Sequence, residues 1–362
     1  MDKVICSLEK SLSWFLNSGV MPDEGKNGVA ERIILTRSNP ALEKVRDNFS
    51  GLTEGDGFWI VENRRADCCF ETALLFLLAG RKLGNKFYTS TGENILEYLF
   101  EKTTMFQENL WNWHAKMESR AFWYDDNGWV AAIELFIGQN FPELDKKYDL
   151  IARGRKSALL LGGSLLKHLN SSRPVKHGSW PDELLWGEPR QPHWGTPVCV
   201  ALMLAGEFDI VRQYHQWGAG NWHRFGISEW AYALISSAAG GKLGDEYLKA
   251  ESLKIFDYLK KHEKNGILPS EHCEAPAGEA LADLIYTLNW YLPGLSLVDG
   301  GREDFCRLRD FMISIQNPDG SWQGMYDITG GTWSGGDLFE GGANSIYTGW
   351  TNAVIALCML FD

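Results

Sequence analysis

The chain has 362 residues, is 44% hydrophobic and 23% charged, and carries a formal net charge of −12. This is ordinary for a soluble globular protein. The acidic balance, with no basic block, argues against binding nucleic-acid backbones, which depends on Lys and Arg against phosphate. No apolar run reaches the roughly 20 residues that span a bilayer. The segment Met1–Lys10 also lacks the apolar core of a signal peptide, so the expectation is a cytoplasmic protein with neither a nucleic-acid nor a membrane partner.

In chain order, an amphipathic helix is predicted over 3–18, with Leu8, Leu12, Phe15 and Leu16 spaced three to four apart. Residues 19–65 are irregular and too long for a passive connection. From Ala66 onward helices alternate with loops. They are predicted at 66–83, 90–105, 127–139, 144–170, 196–206, 208–216, 227–239, 245–263, 279–292, 302–316 and 344–361. Strand signal is almost absent: there are no alternating Val/Ile/Thr runs between tight turns.

The helices are of two kinds. Segments such as Ala73–Ala79, Val198–Ala205 and Asn352–Leu360 are apolar all round, so they should be buried on every side. Glu93–Lys102, Asp245–Lys261 and Arg302–Ile315 keep a polar face for water. Buried and exposed helices alternate about six times, and the exposed helix at 3–18 is left to pair with the buried one at the C-terminus. That pattern implies an all-α (α/α)6 toroid, one domain over residues 1–362, with six inner helices inside six outer ones. An open solenoid should show a fixed repeat, and none is present.

Such a ring gathers the loops before the inner helices around one cavity. Those loops carry the unusual residues: Arg64 and Arg65; Trp123 to Asp126; Glu188, His193 and Trp194; Trp222, His223, Arg224 and Glu229; Glu271, His272 and Glu279; and Tyr347 and Trp350. There are 16 Trp, and many fall outside apolar periodic runs: Trp59, Trp111, Trp113, Trp123, Trp180, Trp186, Trp194, Trp222, Trp322 and Trp333. Placed in loops, they suit flat, partly apolar ligands such as sugars, or they pack the loops down. The seven Cys include no Cys-x-x-Cys pair and no zinc spacing. There is also no phosphate loop or dinucleotide fingerprint. Neither a metal nor a cofactor is expected.

The most informative stretch is Phe122-Trp123-Tyr124-Asp125-Asp126-Asn127-Gly128-Trp129, opening an apolar helix. One Asp can cap the helix; the second needs another reason, and three aromatic rings stand beside it. The segment Tyr124-Asp125-Asp126-Asn127-Gly128-Trp129 resembles the Tyr-Asp-Asp-x-x-Trp segment of the α-1,6-mannanases of glycoside hydrolase family 76, within the six-hairpin glycosidase superfamily. That family's Tyr-Asn-Gln-Gly segment has no counterpart; the comparable place reads His193-Trp194-Gly195-Thr196-Pro197. The unsaturated glucuronyl and rhamnogalacturonyl hydrolases share the toroid and use an Asp at the start of an inner helix. The resemblance implies a glycoside hydrolase acting on an oligosaccharide, with Asp125 and Asp126 as the catalytic carboxylates.

Hydrolysis needs two carboxyl groups. If one of the two Asp caps the helix instead, Glu188, Glu229, Glu271 or Glu279 could supply the partner. Arg64, Arg65 and Arg224 could hold an acidic sugar, although Arg65 also reads as an ion-pair partner of Asp67. The remaining rim residues, Trp59, Trp123, His193, Trp194, Trp222, Tyr347 and Trp350, are candidate substrate contacts. Two other readings stay open. One is a sugar epimerase or isomerase moving a proton with His223 and His272, and the other is a non-catalytic carbohydrate-binding toroid. Gly330-Gly331, Gly335-Gly336 and Gly341-Gly342 flank Asp337 and Glu340 in a long loop expected to shape or lid the cavity.

Overall fold

The computed structural model describes residues 2–35, 51–116, 120–175, 181–182, 185–335 and 342–361. Trp180, Gly336, Asp337, Glu340 and Gly341 lie outside these. Thirteen helices are numbered here among the described residues: α1 (Lys3–Asn17), α2 (Ala66–Leu83), α3 (Lys86–Lys102), α4 (Tyr124–Asn140), α5 (Pro142–Tyr148), α6 (Leu150–Leu169), α7 (Pro192–Leu204), α8 (Phe208–Ala219), α9 (Ile227–Lys242), α10 (Glu246–His262), α11 (Leu288–Leu297), α12 (Arg302–Ile315) and α13 (Val354–Cys358). A π-helical turn, Thr348–Ala353, leads into α13.

Packing closes a ring. Helix α2 packs on α4, α4 on α7, α7 on α9, α9 on α11, α11 on α13, and the π-helical turn before α13 returns to α2. Outside them lie α3, α6, α8, α10 and α12, each against the inner helix preceding it. The sixth outer helix is α1, which packs on both α12 and α13. This is the all-α (α/α)6 toroid, closed by the first and last helices. The division follows hydrophobicity: the outer α12 buries Phe305, Leu308, Met312 and Ile315 along one stripe, whereas α4 buries residues all round. Residues near the N-termini of the inner helices contact one another, so all six start at the same end. Two glycines allow this closeness. A Cβ on Gly128 of α4 would stand 2.6 Å from the Val198 backbone nitrogen of α7, and one on Gly349 would stand 2.8 Å from the Cys68 Cα of α2.

Three expectations are corrected. Strands are present: Ser345–Tyr347, Arg32–Leu35, Phe58–Val61 and Leu52–Gly55 form an antiparallel sheet in that order. Each is at most four residues long, and Arg32 pairs with Tyr347 across the whole chain, so local alternation carries little signal. The predicted helix at 144–170 is broken by Asp149, which sits in the left-handed region at φ 57°. The predicted helix at 279–292 begins only at Leu288. Ahead of it, Leu281–Asp283 pairs with Met325–Asp327. The Asp283 carboxylate accepts from the Ile285 and Tyr286 backbone N–H groups and the Thr287 hydroxyl, which competes with helix formation.

Candidate active site

The inner-helix N-termini converge at one mouth of the ring, and their free N–H groups and dipoles favour carboxylates there. Asp125 and Asp126 are in the first turn of α4. Neither caps it, because the N-cap position is Trp123 and no side chain closes that end. Asp125 is half-buried. Burial, resisted by His193, raises its carboxyl to about 6. Asp126 is buried, and its Oδ1 lies 2.8 Å from Arg65 Nη2. Burial pushes its carboxyl up as well, against Arg65 and with the help of the neighbouring Asp67 and Asp125. Asp125 Oδ1 and Asp126 Oδ2 are buried and have no hydrogen-bond partner among the described residues. Together the pair retains a proton where a lone aspartate would be ionised.

Arg65 precedes α2. It binds Asp67 through two nitrogens at 3.1 and 2.8 Å, as well as Asp126, and its guanidinium lies 4.5 Å over the Trp350 ring. It therefore ties α2, α4 and the turn before α13 together. Arg64 pairs with Glu62 at 2.7 Å and donates to the Asn27 carbonyl, while its buried Nη1 has no hydrogen-bond partner among the described residues.

A second cluster faces the aspartates. His193, in the first turn of α7, points Nδ1 at Glu229 Oε1, 2.7 Å away. Its backbone N–H donates to Glu229 Oε2 at 2.8 Å. Gln191 Nε2 donates to Glu229 Oε1 at 2.7 Å, and His272 Nε2 lies 3.2 Å from it. Burial disfavours charge on both partners, yet their attraction wins. The His193 imidazole is raised above its ordinary value, and the Glu229 carboxyl is held well below its own. His193 Nε2 is buried and has no partner among the described residues. Oxygen and nitrogen atoms of His193, Glu229 and His272 lie within 4.8 Å of one another, a spacing a metal ion could use. However, the Glu274 backbone N–H donates to His272 Nδ1 at 3.1 Å. That leaves the ring proton on Nε2, aimed at Glu229, so the geometry fits a hydrogen-bonded cluster rather than a set of free ligand lone pairs. His272 also stacks on Tyr286, centroids 4.1 Å apart.

The other expected residues divide. Trp123 is half-buried and stacks between Trp186 and Trp194, each 5.6 Å away. Tyr347 is fully buried against Arg32 and stacks on Trp350. Trp59 is half-buried on its strand, opposite Ile34. Glu188 is fully buried in a two-pronged pair with Arg190, both contacts 2.8 Å, which fastens its loop. Glu271 accepts from the Ile227 backbone N–H and so caps α9 from outside. Trp222 is fully buried core, against His215 and Tyr214. Trp111 and Trp322 are likewise buried core. His223, Arg224 and Glu279 are exposed and lie outside both clusters. Sequence reasoning did not single out Gln191, Tyr286 or Trp290, and it quoted Trp129 in the Tyr124–Trp129 segment without giving it a role. Only Trp129 left a signal, its spacing of four from Asp125 on one helix face.

No protein-family model and no curated protein matches the sequence. Among solved structures, a D-mannose isomerase aligns over 99% of this chain and 96% of its own, at TM-score 0.59 and 10% identity. The cellobiose 2-epimerase of Bacillus thermoamylovorans B4167 aligns over 99% of both chains, at TM-score 0.58 and 9% identity. The GH76A α-1,6-mannanase of Salegentibacter sp. HEL1_6 aligns over 99% and 98%, at TM-score 0.57 and 10% identity. A variant of that mannanase with two consecutive aspartates replaced is inactive and was solved with α-1,6-mannotriose. These neighbours are enzymes acting on sugars, and the chain shares their fold, the (α/α)6 toroid.

Proposed function

We propose that this protein is a glycoside hydrolase acting on a neutral oligosaccharide, with Asp125 and Asp126 as its catalytic pair. The observation that carries the reading is the pair itself: adjacent carboxyls at an inner-helix N-terminus, each with one unpartnered oxygen, in surroundings that keep a proton on them. Asp125 gives its proton to the glycosidic oxygen. The C1–O bond breaks, its electron pair passing to that oxygen. Water then adds its hydroxyl to C1 and returns a proton to the carboxyl pair. Asp126 supplies the second carboxylate: the coupled pair shares one proton, and with that proton on Asp125 the charge left on Asp126 faces Arg65 at 2.8 Å. The paired aspartates of the mannanase support this assignment. Arg65, the arginine beside the pair, is held by the carboxylates of Asp67 and Asp126, which argues against its holding an acidic sugar.

The test is turnover of aryl-glycosides and neutral oligosaccharides by the wild type, Asp125→Asn and Asp126→Asn. Turnover lost in both variants supports the pair, and turnover untouched by either would overturn it. A second reading, aldose–ketose isomerisation or epimerisation, rests on the unpartnered His193 Nε2 backed by Glu229. It predicts conversion of a free aldose that is lost in His193→Ala and only reduced in Asp125→Asn.

A further inference from the structure

The lumen of the ring is filled in two layers. Five of the six inner helices, counting the turn before α13 with it, send side chains into one apolar cluster: Trp129 from α4, Val200 from α7, Tyr232 and Ile235 from α9, Trp290 and Leu297 from α11, and Trp350 and Val354 from the last turn; Val200 and Leu297 join it to the main core. Only the ring axis is within reach of helices spread around the whole circle. Trp129, Tyr232, Trp290 and Trp350 all stand within the first two turns of their helices. Val200, Ile235 and Val354 follow about a turn further along. An aromatic layer therefore rests on an aliphatic one.

Trp129 and Trp290 belong to the second and fifth inner helices, on opposite sides of the ring. Their rings stack with centroids 4.6 Å apart and planes 2° from parallel. Tyr232 leans on Trp290 at 5.5 Å. Trp290 is buried, whereas Trp129, in the second turn of α4, is only half-buried. Trp129 follows Asp125 by four residues, so its indole lies on the same face about one turn below, about 6 Å along the axis. That depth matches one sugar ring lying on an indole.

We propose that the Trp129–Trp290 stack is the floor of a one-ring subsite beneath Asp125, so that the enzyme binds the end of a neutral glycan and releases one pyranose at a time. A sugar stacked on Trp129 presents its edge to Asp125. The closed floor leaves the chain no way to pass through, so its remainder must leave by the mouth. An internal sugar with chain on both sides cannot reach that depth. This inference rests on the hydrolase reading for its account of cleavage, but not for the platform itself.

Two measurements separate them. Oligosaccharides labelled at the reducing end and turned over by the wild type should give, at the earliest times, monosaccharide and a labelled chain shorter by one unit. Labelled fragments of several sizes at those times would overturn chain-end action while leaving the hydrolase reading intact. If none is turned over, the platform is read by binding alone. Mannose, glucose, galactose and N-acetylglucosamine are titrated against the wild type, Trp129→Phe and Trp129→Ala, following tryptophan emission and heat, with each variant first shown to unfold cooperatively. At least one sugar should bind the wild type, bind Trp129→Phe within a few-fold, and bind Trp129→Ala about tenfold more weakly, the loss expected for an aromatic stacking surface. Equal binding to the wild type and Trp129→Ala, or no binding of any sugar, would overturn the platform.

Discussion

At Asp125 the proposed chemistry depends on a proton that burial keeps in place. An ordinary aspartate is ionised well below neutrality, but this carboxyl is raised to about 6. A general acid works only in its protonated form. Activity should therefore fall about tenfold per unit as the pH rises above 6, as a kcat/KM profile on any turned-over glycoside would show. Asp125→Asn cannot donate, so its residual rate should lack this alkaline limb and lie about 100-fold or more lower. A variant profile that kept the limb would move the acid elsewhere. The opposite polarity holds one helix away. Glu229 stays ionised because four donors converge on it, and it fixes His193 with Nε2 toward the cavity.

The elements hold the site by close approach of inner helices. Gly128 sits three residues after Asp125, at the place where α4 meets α7. The atoms a Cβ would strike there are backbone, the Val198 nitrogen at 2.6 Å and the Pro197 carbonyl carbon at 2.7 Å. Backbone inside a helix cannot give way as a side-chain tip can, so Gly128→Ala should force the two helices apart. The expected cost is about 1–3 kcal/mol, read as a lowered urea midpoint. Activity should fall beyond the stability loss, because α4 carries the aspartates and α7 carries His193. An unchanged midpoint would mean that the helices are less tightly apposed than the distances imply.

For the whole molecule, α1 is the closing piece. It buries Leu8, Leu12, Trp14 and Phe15. It also exchanges hydrogen bonds between Ser7 and Gln316. Gly320, at φ 101°, lets the following turn press against the Lys10 carbonyl. Four large side chains at about 1.5–3 kcal/mol each amount to on the order of 6–12 kcal/mol, comparable with the whole stability of a typical domain, about 5–15 kcal/mol. Removing residues 2–17 should therefore abolish the cooperative urea transition, whereas the full chain should unfold in one. Retention of a sharp transition by the shortened chain would show that the ring stands without its closing helix.

The ring itself was legible in the sequence because its determinants are local. Helices apolar on all sides alternate with helices apolar on one, and only concentric layers bury both kinds. The aspartate pair was legible as well, since its two members are neighbours at a helix start. The partners of these residues were not. Arg65 and Asp126 are 61 residues apart, His193 and Glu229 36, and His193 and His272 79, and no local periodicity records which of many rim residues will meet. The same limit hid the sheet that joins Arg32 to Tyr347, and it made His223 and Glu279 look equivalent to His193 and Glu229. Trp129 and Trp290 meet only because ring closure sets two inner helices across a lumen narrow enough for their indoles to stack. Hydrophobic pattern determines which face of each helix is buried, whereas the circle's closure decides which side chains share the space inside it.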